Sequence, residues 1–195
     1  MGIGRLATVP NCIRFVRRTD RDQLLIYADG ACINNGQANP KAGWAFVYKP
    51  GVDNHPISVG ARLESKGPFG DAAQQTSNRA ELRAVLAALR FRVWSGEGFT
   101  KLVLATDSEY AAEGATSWAR GWMRNGWKTR VGVEVKNRDL WEALLGEIEK
   151  LDGAGVEVQF WRIPRAMNRA ADCAAKEAAQ QAEVLSFQDV TGVAT

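Results

Sequence analysis

Leu24-Leu25-Ile26-Tyr27-Ala28 is a short apolar run that ends in Asp29 and Gly30. Near-continuous hydrophobic residues predict a strand covered on both faces. Asp29 then falls at the C-terminal end of that strand, where open α/β sheets place their ligands. Gly30 permits a tight turn or the close approach of another group to the backbone. Turn formers from Ala31 to Pro40 lead into a second run, Ala42 to Lys49. Pro50-Gly51 and Asp53-Asn54 mark a turn into a third run, Ile57 to Leu63, so the pattern predicts an antiparallel meander. A loop of about a dozen residues, Glu64 to Gln75, follows; loops of that length tend to be functional.

The period then changes. Leu82, Val85, Leu86, Leu89 and Val93 recur at helical spacing, with Arg79, Arg83 and Arg90 off the stripe. Asn78 with Glu81 three residues on fits a capping box. Lys101 to Thr106 is another short apolar strand, and it too ends in a carboxylate, Asp107. Ser108 to Gly114 and Thr116 to Arg124 predict two short helices, and Arg138 to Leu151 a longer one. Val156 to Trp161 predicts a last strand, and the alanine-rich stretch Asn168 to Ala182 a last helix. From Val184 onward there is no pattern, which predicts a fraying end. The order βββ-α-β-α-α-α-β-α implies an α/β domain, a mixed sheet with helices on both faces.

Composition narrows the chemistry. A chain of 195 residues, 46% hydrophobic and 24% charged, is that of a soluble globular domain. No apolar run approaches the ~20 residues that span a bilayer, so no membrane partner is expected. A net charge of +3 is mild, and any basic footprint for nucleic acid must be local. Cys12, Cys32 and Cys173 lie far apart without CxxC spacing, against a disulfide framework or a zinc site and for a reduced intracellular compartment. His55 is the only histidine and sits in a loop, so metal chemistry would rest on oxygen ligands, which favours Mg²⁺ or Mn²⁺.

Four acids stand out by position: Asp29 and Asp107 at strand ends, Glu81 in the first turn of the long helix, and Asp172 near the start of the last. Each has an ordinary role open to it. Asp29 suits a turn, Glu81 the capping box, Asp107 an N-cap and Asp172 a helix dipole. Acids buried together, however, need pairing or metal. Two cations ~4 Å apart held by carboxylates are a known clamp for in-line displacement at phosphorus.

Four motifs then occur in order on the expected elements: Tyr27-Ala28-Asp29-Gly30-Ala31-Cys32-Ile33-Asn34-Asn35-Gly36, Thr76-Ser77-Asn78-Arg79-Ala80-Glu81-Leu82, Thr106-Asp107-Ser108, and Asn168-Arg169-Ala170-Ala171-Asp172. Together they make the chain resemble type 1 ribonuclease H from about Leu24 to Ala182. The resemblance implies a ribonuclease H-like fold with a five-stranded mixed sheet, order 3-2-1-4-5. It also implies a two-ion Mg²⁺ site (Mn²⁺ as an alternative) made by Asp29, Glu81, Asp107 and Asp172. Asp29 would touch both ions. Asp107 would complete the site that activates the attacking water, and Glu81 and Asp172 the site that stabilises the leaving 3′-oxygen. Glu81 would also sense the adjacent 2′-hydroxyl. The implied reaction is endonucleolytic cleavage of the RNA strand of an RNA–DNA hybrid by a monomer, leaving a 5′-phosphate and a 3′-hydroxyl.

The same resemblance assigns Cys32, Asn34, Asn35, Ser77 and Asn78 to the hybrid's minor groove and ribose hydroxyls. In Ser117 to Arg138, the basic residues Arg120, Arg124, Lys128, Arg130, Lys136 and Arg138 meet the single acid Glu134 among Trp118, Trp122 and Trp127. That mixture suits a groove tracking a phosphate backbone, or a solvated face over buried tryptophans. It resembles the basic protrusion of some family members. Tyr110, Trp118 and Trp122 match its DNA-channel aromatics, and Thr76 and Asn137 its DNA-phosphate pocket, with Gln74 where some members have arginine.

One departure concerns the loop before the last helix, where many type 1 enzymes carry a histidine. Here it reads Arg162-Ile163-Pro164-Arg165-Ala166-Met167. Arg165 is a candidate substitute, without the capacity to shuttle protons, and equally an ordinary surface residue. The expected consequence is slower turnover. A catalytically weakened hybrid-binding module stays open as an alternative, and a nuclease for double-stranded RNA as a third. The expected organisation is a basic N-terminal extension over residues 1–23, a catalytic domain over 24–182 and a C-terminal tail over 183–195. Nucleus, cytoplasm and mitochondrion all remain open as the compartment.

Overall fold

The structure is a computed structural model and describes residues 13–51 and 55–192. Cys12 with the rest of residues 1–12, and the Asp53-Asn54 turn, lie outside the described residues. Strands β1 (Val16–Arg17), β2 (Asp20–Ile33), β3 (Lys41–Lys49), β4 (Ile57–Arg62), β5 (Lys101–Thr106) and β6 (Glu157–Arg162) form one open sheet in the order β4-β3-β2-β5-β6, with β1 paired to β2. The expected order 3-2-1-4-5 is present, and the short β1 makes the strands six rather than five. β2 pairs antiparallel with β3 and parallel with β5, so the sheet is mixed.

β2 is longer than its apolar run. It continues to Ile33 because β3 keeps pairing with it to Lys41, whereas β5 stops at the pair Tyr27 and Ala105. Asp29 therefore stands not at the end of β2 but where β2 outruns its parallel neighbour. That step is the crevice at the carboxyl ends of parallel strands.

Helices α1 (Ser77–Arg90) and α5 (Arg169–Ala178) lie on opposite faces. A methyl group on Gly30 would come 2.2 Å from the backbone nitrogen of Glu81 in α1, and one on Gly43 2.2 Å from that of Ala179 after α5. Gly30 is thus a place of close approach within a strand and not a turn. Leu24, Ile26 and Ala28 share its face by the two-residue period, and they form one core with Leu102, Leu104, Leu82, Leu86 and Leu89. Asp29 has the opposite parity and faces the α5 side. Helix α4 (Arg138–Gly153) backs α1 through Leu140, Trp141 and Leu144.

The two short helices predicted between Ser108 and Arg124 are one continuous rod. α2 (Glu109–Glu113) runs through a π-turn at Gly114–Trp118 into α3 (Ala119–Arg124). The turn brings Gly114 against the ring of Trp141, where a Cβ would sit 2.2 Å from the indole.

Three other local expectations are corrected. Thr76, not Asn78, caps α1, its hydroxyl accepting from the Arg79 N–H at 3.3 Å, so Glu81 is no capping-box partner. Arg79 and Arg83 are buried rather than off the stripe: Arg83 donates to Glu64 at 2.7 and 3.0 Å, and Arg79 to Asp139 at 2.8 Å. The described residues after Ala182, to Gly192, do not fray. The Val184 carbonyl accepts from Ser65 N–H, the Gln188 carbonyl from Arg83, and Gly192 N–H reaches the Phe91 carbonyl. The Arg83 guanidinium lies between the rings of Trp44 and Phe187, 4.5 and 4.2 Å from their centroids.

Candidate active site

Each acid reaches the crevice by a different route. Asp29 comes from the middle of β2, and Asp107 follows directly on β5. Glu81 is delivered by α1, which Gly30 allows to lie against the β2 backbone. Asp172 comes from the first turn of α5. All four line one polar cavity of about 590 Å³, together with Cys32, Asn35, Ser77, Arg165 and Lys176. A larger cavity of about 750 Å³, walled by Phe15, Leu25, Val103 and Trp161, contains none of the acids. Chemistry singles out the smaller one.

The electrostatics are uneven across the cluster. Burial foremost, then the charges of Asp107 and Asp172, pushes Asp29 up to about 7. Burial, then Asp29 and Asp107, raises Glu81 well above the carboxylate range, while the Gly30 N–H acts the other way. Glu81 Oε2 is buried without a hydrogen-bond partner. At Asp172 burial pushes upward too, but Lys176 and Arg165 outweigh it and hold the carboxyl below its ordinary value. Those two cations lie 2.6 Å from Oδ2 and 2.7 Å from Oδ1. Asp107 Oδ1 accepts from Asn168 Nδ2 at 2.7 Å.

Among the described residues no three acids form a ready-made metal cage. The donor set nonetheless fits a hard divalent cation. It is all oxygen, and its sheet side is short of positive charge, as the orphaned Glu81 oxygen and the raised Asp29 carboxyl record. Mg²⁺ in particular keeps several waters and needs only one or two carboxylates from the protein.

The remaining sequence-predicted residues divide among three places. Cys32, Asn35 and Ser77 share the acid cavity, Asn35 Oδ1 accepting from Ser77 N–H at 3.3 Å. Asn34 lies outside it, in a turn with φ +55°. Thr76, Asn78, Tyr110 and Asn137 line a neighbouring cavity of about 690 Å³, with Gln74, Arg79 and Arg138. There the Tyr110 hydroxyl accepts from Trp141 Nε1 and Asn137 Nδ2, at 3.0 and 3.3 Å, and donates to the Lys136 carbonyl at 3.0 Å. Trp118 and Trp122 continue the aromatic row from Tyr110, with ring centroids 5.9 Å apart. All six basic residues of the 117–138 stretch are exposed, while Trp122 and Trp127 are half-buried beneath them.

Sequence reasoning passed over Lys176, Arg79 and Asn168. Lys176 carries a signal, being one helical turn after Asp172. Arg79 and Asn168 find their partners, Asp139 and Asp107, only in the folded chain.

A family model described as RNase H matches residues 21–180. The chain belongs to the RNase H family. It is 37% identical to Ribonuclease H1 of Homo sapiens over 166 residues, covering 83% of this chain and 52% of that protein. It is 40% identical to Ribonuclease H of Treponema pallidum over 124 residues, 62% of this chain and 70% of that one. Among solved structures it is similar to LC9-RNase H1, described as a type 1 RNase H with the type 2 active-site motif. The identity is 28% and the TM-score 0.53, over 80% of this chain and 72% of the other. These similarities make the chain a type 1 RNase H domain. It spans about half the length of the mammalian relatives it matches. The packed strap at 183–192 lies beyond the family match. No helix among the described residues is long and apolar enough to cross a membrane.

Proposed function

We propose that the chain is a divalent-metal-dependent endonuclease that hydrolyses the RNA strand of RNA–DNA hybrids. The observation that carries this reading is the convergence of Asp29, Glu81, Asp107 and Asp172 on one cavity that also holds Cys32, Asn35 and Ser77. The four carboxylates would hold Mg²⁺ or Mn²⁺. When bound, such ions supply Lewis acidity toward phosphoryl oxygens and lower the pKa of a nucleophilic water. The chain's own contribution is to hold hydrolysis at one backbone position, with a 5′-phosphate and a 3′-hydroxyl as products.

Substrate choice follows from polar groups beside the acids. Asn35, Ser77 and Asn78 offer amide and hydroxyl groups suited to 2′-hydroxyls, which distinguish RNA from DNA. The second cavity, with Thr76, Asn137 and Arg138, suits a phosphate of the DNA strand. Trp118, Trp122 and the exposed basic residues would track the backbone beyond it. The loop arginine at 165 stands in place of a histidine and pairs with Asp172 at 2.7 Å, so it bears on the acid set as well as on product release. An intracellular monomer satisfies this reading.

The test is to incubate the purified chain with Mg²⁺ and matched RNA–DNA hybrid, double-stranded RNA or double-stranded DNA. Cleavage confined to the RNA of the hybrid, and lost in Asp107→Asn and in EDTA, is the expected result. Hybrid binding without cleavage in either Mg²⁺ or Mn²⁺ would refute the reading and leave a binding module. Cleavage of double-stranded RNA in preference to hybrid would refute the substrate assignment alone.

A further inference from the structure

Asn168 occupies the N-cap position of α5, where an asparagine side chain ordinarily accepts a hydrogen bond from the first turn. It makes no such cap. Its Nδ2 instead donates to the Ala28 carbonyl at 3.0 Å and to Asp107 Oδ1 at 2.7 Å. Both partners are acceptors, so the amide has one orientation; reversing it would set Oδ1 against two oxygens. The residue is 1% exposed, and its own carbonyl accepts from the Asp172 N–H at 3.0 Å. One side chain and its backbone therefore touch the residue before Asp29, the carboxylate of Asp107 and the main chain of Asp172.

These contacts join three elements that are far apart in sequence. The β2 backbone, the residue after β5 and the start of α5 have no other shared side-chain link among the hydrogen bonds of the described residues. We infer that Asn168 is a positioning residue that sets the spacing of Asp29, Asp107 and Asp172 for a divalent cation, an inference that rests on the metal-dependent reading above. By occupying Asp107 Oδ1 it orients that carboxylate, as hydrogen-bonded partners of metal ligands generally do. By tying Ala28 to α5 it holds the β2 acid and the helix acid at a set separation.

Two variants separate donation from bulk. Asn168→Ala removes the donor. Asn168→Asp keeps the shape but turns an acceptor toward Ala28 O and Asp107. Substrate-free wild type and both variants are titrated with Mg²⁺ and followed by backbone amide NMR shifts, with near-UV circular dichroism and thermal melts in parallel. Both variants should bind Mg²⁺ about tenfold to a hundredfold more weakly. A folded variant with a lower melting temperature but wild-type Mg²⁺ affinity would overturn the inference, since a merely structural asparagine moves only stability. Should Asn168→Ala not fold, Asn168→Ser retains a small donor, and its Mg²⁺ affinity decides the question in the same way. A wild type that neither binds Mg²⁺ nor cleaves hybrid overturns the functional reading and this inference together. Variants that match a metal-binding wild type overturn this inference alone.

Discussion

Arg165 Nη2 lies 2.7 Å from Asp172 Oδ1. The residue that stands where many type 1 enzymes carry a histidine is thus tied directly to one of the four acids. Lys176 takes the other oxygen of the same carboxylate from one turn along α5. Asp172 is consequently the one acid of the cluster already supplied with positive charge, and a cation bound there competes with both side chains.

Removing one competitor should favour the metal. In Arg165→Ala, the Mg²⁺ concentration for half-maximal hybrid cleavage should fall, by no more than about fivefold, because the pair is open to solvent and such pairs are worth at most ~1 kcal/mol. Lys176→Ala should act in the same direction. A rise in the Mg²⁺ requirement in either variant would show that these cations assist metal binding.

The raised Asp29 carboxyl has a signature in stability. Its folded value, about 7, lies above the ordinary value of 3.8 that it regains on unfolding. The protonated form is therefore the one that favours the fold. Its contribution is complete below about pH 3.8 and is lost as pH rises through about 7. Glu81 shifts in the same direction. Asp172, held low, works the opposite way: its contribution is present above its unfolded value and is lost toward acid. Metal-free Asp29→Asn should accordingly lose less stability than wild type between pH 4 and pH 8 in urea titrations. Mg²⁺ should restore wild-type stability most at the upper end. Parallel pH curves for the two proteins would contradict this assignment.

Gly30 is where geometry and activity meet. In Gly30→Ala the new methyl would lie 2.2 Å from Glu81 N and 2.3 Å from the Ala80 carbonyl carbon, both backbone atoms that cannot swing aside. α1 must move, and overpacking of this kind costs about 1–3 kcal/mol. Because Glu81 rides on the displaced turn, hybrid cleavage should fall together with the unfolding midpoint. Full activity in a destabilised Gly30→Ala would mean that the position of Glu81 is not critical.

The Arg83–Glu64 pair is a separate liability, outside the cavity that the four acids line. Arg83 is fully buried and Glu64 is 4% exposed. Arg83→Met would strand the Glu64 carboxylate, and breaking a buried pair on one side costs about 3–5 kcal/mol. Ending the chain at Ala182 would take away the Phe187 ring and the Gln188 carbonyl from the same guanidinium. That truncation should lower the melting temperature by less than Arg83→Met, while cleavage per folded molecule persists. Chemical denaturation of both proteins checks the order.

Much of this molecule was legible along the chain because its strands and helices are locally consistent. The apolar runs of β2, β3 and β5 and the stripe of α1 are short-range patterns, and each predicts its element within a few residues. The α1 cap, at Thr76 and not Asn78, was a local misreading; the larger errors came from partners distant in sequence. Arg79 and Arg83 read as solvent-facing because their acids, Asp139 and Glu64, are 60 and 19 residues away. The strap at 183–192 has no period of its own. It is held by groups on α1 and by the backbone of the 64–75 loop, so nothing local announces it.

The candidate site divides along the same line. The sequence by itself determined which residues have the chemistry: four carboxylates, with amides and hydroxyls within five positions of each. Residue type and local pattern are properties of the chain. Only the tertiary structure decided that the four acids share a cavity, that β2 outruns β5 at Asp29, and that Asn168, Arg165 and Lys176 divide two of the carboxylates among them. Those relationships depend on strand register and helix docking. Both are settled by packing between segments far apart along the chain, which no local pattern encodes.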